Sequence, residues 1–99
     1  MSYQVIIAYS AQEQFRALDA RQRSMLKSAM HEYLETSPMT ESKSRIKRLR
    51  GLRRPQYRLR VGEMRVFYDV DEAIERVEVF AFALKAANSG WLQDHGVAE

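Results

Sequence analysis

The stretch QYRLRVGEMRVFYDV, residues 56–70, admits few conformations. Apolar residues fall at every second position, Tyr57, Leu59 and Val61, then Met64, Val66, Tyr68 and Val70, the pattern of two strands that each bury one face. Between them stands Gly62-Glu63, a two-residue loop with glycine first, suited to the tight turn that joins twisted strands. Closing the hairpin there sets Val61 against Met64, Arg60 against Arg65, Leu59 against Val66 and Arg58 against Phe67. Arg58, Arg60 and Arg65 then all emerge on the face opposite the core. Like charges placed directly opposite one another destabilise a sheet, so the three arginines need a reason beyond folding.

Ninety-nine residues with 45% hydrophobic content suit one compact domain spanning 1–99, large enough to fold alone and too small for two cores. The chain has no cysteine, which leaves no disulfide framework, thiolate metal site or thiol nucleophile. No apolar run approaches the roughly 18 residues of a membrane span. The opening MSYQVIIAYSAQEQF lacks the basic start and long apolar stretch of a signal peptide. These features lead us to expect a soluble cytoplasmic protein.

A net charge of +3 conceals segregation along the chain. Residues 43–60 hold nine basic residues (Lys43, Arg45, Lys47, Arg48, Arg50, Arg53, Arg54, Arg58, Arg60) and no acidic one, whereas residues 61–99 hold three basic residues against eight acidic. Such a basic patch attracts a polyanion through counterion release; a solvated basic loop is the plainer alternative for residues 43–54.

Elsewhere the pattern is that of a small α+β domain. YQVIIAY at 3–9 reads as a first strand. Ser10-Ala11-Gln12-Glu13 matches a capping box that would start a short helix, with Phe15 and Leu18 on one side of it, and Asp19 followed by Gln22 repeats the pattern for a second. That second helix carries Leu26, Met30, Tyr33 and Leu34 on one stripe and ends before Pro38, so the two helices form a short antiparallel pair. After the hairpin, RVEVFAFALK at 76–85 reads as a further strand, covered on much of both faces and central in the sheet. Its small residues Val77, Val79, Ala81 and Ala83 alternate with Glu78, Phe80, Phe82 and Leu84, and Lys85 ends the small row. Trp91 and Leu92 fall in a turn or short helix.

The order strand, two helices, three strands, together with LRGLRRPQYRLRVGEMRVFYDV followed by VEVFAFALK, resembles the RelE/ParE superfamily of bacterial toxins from type II toxin–antitoxin modules, closer to the RelE type. The likeness runs from residue 3 to about 92. It implies a small α+β domain of β-α-α-β-β-β order, with a mainly antiparallel twisted sheet and a helix hairpin on one face. It also implies a cognate antitoxin partner. RelE-type members cut messenger RNA in the ribosomal A site without a metal or other cofactor, and ParE-type members poison DNA gyrase.

Metal-independent RNA cleavage uses the 2′-hydroxyl as nucleophile. A protein catalyst must help remove its proton, stabilise the extra charge on the phosphate and protonate the leaving 5′-oxygen. By the resemblance, Arg58 and Arg60 take the places of the two basic residues that bind and activate, Arg65 holds the phosphate, Lys85 falls at the proposed general acid and Trp91 at an aromatic that stacks on the nucleotide. The run Lys43, Arg45, Lys47, Arg48, Arg50, Arg53 and Arg54 would track the RNA. Studied relatives carry lysines where this chain has Arg58 and Arg60, and an arginine resists deprotonation; tyrosine is common where Trp91 stands. These departures favour the alternative of a ParE-like or catalytically silent member that binds its target, whereas Arg65 and Lys85 at matching positions favour the nuclease, and the expected function is a ribosome-dependent messenger-RNA endoribonuclease neutralised by its antitoxin. Each highlighted residue also has a structural reading: Arg58 and Arg60 as solvent-facing strand residues, Arg65 paired with Glu63 or Asp69, Lys85 as a charged strand end, Trp91 buried. Because Arg65 points away from the core, Arg65→Ala is expected to abolish toxicity and spare the fold.

Overall fold

The computed structural model describes residues 2–84 and 96–98. The chain opens with β1 (Gln4–Ile7), followed by α1 (Tyr9–Arg16) and α2 (Ala20–Ala29). A π-helical turn, Met30–Leu34, extends α2 and is closed by the Glu35 N–H donating to the Met30 carbonyl at 3.2 Å. Then come β2 (Ile46–Arg48), β3 (Leu52–Arg54), β4 (Tyr57–Val61), β5 (Met64–Asp71), β6 (Arg76–Leu84) and β7 (Val97–Ala98). The main sheet has the order β1-β6-β5-β4-β2, and β3 pairs with β7 in a second sheet. β1 runs parallel to β6, and every other pairing in the main sheet is antiparallel. The expected β-α-α-β-β-β order therefore holds, with three further short strands, two of them inside the basic segment.

The two helix starts form differently. Asp19 accepts from the Gln22 N–H at 2.7 Å and Gln22 returns a bond to the Asp19 N–H, completing the expected box. The box at Ser10 does not form. β1 keeps pairing with β6 as far as Ala8, whose N–H donates to the Val79 carbonyl at 2.8 Å. The chain turns helical at once, Ala8 becomes the uncapped N-cap, and Ser10 already lies inside the first turn.

One face of the sheet packs on the helices. Leu26, Met30 and Leu34 meet Ile46, Leu59, Val66, Tyr68, Val77, Val79 and Phe82 in a single core cluster, each large apolar side chain contributing about 1.5–3 kcal/mol by burial. Tyr68 is wholly buried and its hydroxyl donates to the Pro38 carbonyl at 2.6 Å, tying the loop after the helices to β5. β6 is central, as expected, but its alternation breaks. Phe67 faces Ala81 while Tyr68 faces Val79, so Phe80 is an extra residue in a bulge. Val77 and Val79 stay on the core face, Phe82 joins them, and Ala81 and Ala83 move to the other face, instead of lining one row with the valines. The bulge forms where β1 ends: beyond Val79 the edge of β6 meets α1, whose Gln14 side chain accepts the Phe82 N–H at 2.9 Å.

Asp19→Ala is expected to lower unfolding free energy by about 1 kcal/mol, and Ser10→Ala to change it by less than about 0.5 kcal/mol; urea denaturation of the two variants beside the parent checks the difference.

Candidate functional site

The β4–β5 hairpin has the expected register at every pair: Tyr57 with Tyr68, Arg58 with Phe67, Leu59 with Val66, Arg60 with Arg65, Val61 with Met64. Gly62 takes φ +59°, which L residues with a side chain rarely adopt. β2 adds Lys47 directly across from Arg58, and the bulge in β6 brings Ala83 beside Arg65. Lys47, Arg58, Arg60 and Arg65 thus share the sheet face turned away from the helices. Among the described residues, no carboxylate forms an ion pair with any of the four.

Arg65 corrects a detail of the sequence reading. It lies on the expected face but is only 4% exposed, and its guanidinium folds back to donate to the Gly62 and Met64 carbonyls at 3.2 and 3.0 Å. It pairs with neither Glu63 nor Asp69. Burial, then the positive charges of Arg58 and Arg60, lower its pKa from the usual arginine value. Among the described residues, the buried Nε atoms of Arg58 and Arg65 have no hydrogen-bond partner. A buried donor left unmet costs about 1–3 kcal/mol. Arg60 is exposed and Arg58 half-buried, so the three guanidiniums are reachable to different depths.

The basic run divides in two. Arg45 lies 5.6 Å over the Tyr33 ring and donates to the Arg60 carbonyl. Arg48 lies over Tyr57 and donates to the Leu49 and Gln56 carbonyls. Arg54 pairs with Asp69 at 3.3 Å and covers Phe80. These three hold the strands together. Lys43, Lys47, Arg50 and Arg53 are exposed and remain available to a polyanion. Lys85 and Trp91 lie outside the described residues.

The same face changes sign along the strands. Roughly 13–23 Å along the strands from Arg65, at some 3.3 Å per residue, Asp69, Glu78, Asp71 and Glu72 line a cavity of about 440 Å³ together with Ile6, Arg54 and Arg76. Burial raises the Asp69 carboxyl above the usual range, against the lowering effects of the Gln56 N–H and the Arg54 guanidinium. The period-two placing of Asp69 and Asp71 signals this acidic end in the sequence, but the charge count by segment does not locate it on a face. A polyanion is drawn to the hairpin end and repelled from the other.

No protein-family model and no curated protein sequence matches the chain. Solved structures do match in fold. A double arginine-to-alanine variant of the E. coli toxin RelE in the free state superposes with TM-score 0.71 and 24% identity over 95% of this chain and 93% of that one. The RelE–RelB complex of Pyrococcus horikoshii OT3 gives 0.70 and 22% over 86% and 97%, and the RelBE2 toxin–antitoxin complex of Mycobacterium tuberculosis 0.70 and 19% over 85% and 99%. The chain has the fold of RelE toxins.

Because Arg65 is buried with a donor unmet, replacing it by an apolar side chain of similar length relieves the fold. Arg65→Met is expected to melt at the parent's temperature or a few degrees above it by calorimetry. Arg65→Ala, by contrast, leaves a void beside Phe67 and Ala83 and is expected to lower the melting temperature.

Proposed function

We propose that this chain, which carries the fold of RelE toxins, is the toxin of a type II toxin–antitoxin module and acts on messenger RNA as a metal-independent endoribonuclease in the translating ribosome. The observation that carries the reading is the trio Arg58, Arg60 and Arg65: cationic and, among the described residues, without acidic partners and with two buried N–H donors unmet. A phosphodiester supplies what those groups lack, charge and acceptor oxygens together.

In this reading the 2′-hydroxyl passes its proton to a solvent water, the 2′-oxygen forms a bond to the neighbouring phosphorus, and the bond from phosphorus to the 5′-oxygen breaks, leaving a 2′,3′-cyclic phosphate and a 5′-hydroxyl once the leaving oxygen is protonated. Arg65 holds the phosphate from beneath. Arg58 and Arg60 stabilise the charge that grows on its oxygens, a role suited to groups that stay protonated. Lys85 would protonate the leaving oxygen and Trp91 would stack on the base. Lys47, Lys43, Arg50 and Arg53 draw in the strand. An antitoxin would silence the protein as an extended chain laid over it, competing with RNA for the arginine face.

A specific observation favours a second reading. Both positions that carry lysine in studied relatives are arginines, which make poor bases, so the chain could arrest its target by binding without cutting, as a silent or gyrase-directed toxin. A reconstituted translation reaction with end-labelled messenger RNA, run with and without ribosomes, separates the two. Breaks within the A-site codon that require ribosomes are expected. Cleavage should slow about a hundredfold or more in an Arg58→Ala, Arg60→Ala double variant, since each phosphate contact is worth roughly 1.5–3 kcal/mol. Intact message with stalled translation would establish the silent binder, and intact message with normal translation would overturn the ribosomal assignment.

A further inference from the structure

On the helix side of the hairpin, α2 and the β4–β5 turn enclose a groove of about 500 Å³. Its floor is Ala29 and Val61, both buried, and one wall is the half-buried ring of Tyr33 with the Arg45 guanidinium stacked on it at 5.6 Å. The Ser28 hydroxyl and Glu32 stand at the rim. Both residues are exposed, and among the described residues the Glu32 carboxylate forms no ion pair or hydrogen bond. Arg45 connects this groove to the arginine face, since its guanidinium donates to the Arg60 carbonyl at 3.3 Å and its own carbonyl accepts the Arg60 N–H at 2.9 Å.

We propose that the groove seats a nucleobase of the RNA strand whose phosphate the arginines hold. The inference rests on the reading of the arginine face as an RNA site. A flat apolar floor with a tyrosine–guanidinium wall is the surface on which unstacked bases pack. The carboxylate at the rim repels a phosphate but accepts N–H donors, so what enters is a base, and an exocyclic amino group is held better than the N3–H of uracil, which lies between two carbonyl oxygens that the carboxylate repels. The strand would pass from Arg60 across Arg45 and turn its base around the edge of the sheet, which gives the protein a base preference of its own.

Fluorescence anisotropy with 5′-labelled hexacytidylate and hexauridylate RNA tests this, because the two bases differ in the amino group and hardly in size. The parent is expected to bind hexacytidylate about five- to tenfold more tightly, and Glu32→Gln to abolish the difference. Ser28→Trp, an exposed substitution that fills the groove, is expected to weaken both about tenfold while leaving the slope of log affinity against log salt unchanged, since no phosphate contact is lost. Variants that melt like the parent and bind both RNAs as it does would overturn the base seat and leave the arginine face standing. A parent that binds neither RNA would overturn both.

Discussion

Three apolar pairs in one hairpin, Tyr57 with Tyr68, Leu59 with Val66 and Val61 with Met64, hold the register on which the site depends. Their burial against α2 and the Met30–Leu34 turn is worth several kcal/mol in sum, whereas a like-charge pair across two strands costs only a fraction of a kcal/mol to about one. The core can therefore force Arg60 and Arg65 into adjacency and keep them there. A shift of one residue would turn the arginines inward and the leucine and valines out, so the fold cannot relieve the repulsion without losing its core. The strain stays at the site, where a bound anion would remove it.

The bulge at Phe80 is the second device. Without it β6 would present Phe80 and Phe82 on one face throughout; with it Phe82 packs on Phe15 at 5.4 Å between ring centres and enters the core, while Ala81 and Ala83 are passed to the arginine face. The same step places Phe80 under Arg54, whose pairing with Asp69 fixes β3 near the junction of the basic and acidic ends of that face. A nucleic acid bound there would meet attraction at one end and repulsion at the other, a gradient that sets where the strand lies as well as how tightly.

The basic segment illustrates why a run of charge is not a list of contacts. Arg45, Arg48 and Arg54 are as cationic as their neighbours, yet each has its guanidinium over an aromatic ring and bonded to backbone or carboxylate. They serve the fold first. Lys43, Lys47, Arg50 and Arg53 carry no such duty. Arginine is suited to the first role because its planar fork stacks and makes several bonds at once.

The sequence by itself determined the hairpin, its turn, its pairing and the face on which Arg58, Arg60 and Arg65 stand, because period two and a glycine at the loop leave one register that buries every apolar side chain. It determined the Asp19 cap and the helical stripe for the same local reason, and the order of elements carried the likeness to RelE toxins that the solved structures bear out as fold. Tertiary structure alone decided the rest. The Ser10 box failed because the parallel ladder at Ala8 claimed the preceding turn. The parity of β6 switched at Phe80 because β1 stops short and α1 takes over its edge. Each of these is set by which element lies alongside, and a neighbour distant in sequence leaves no local pattern from which it can be read.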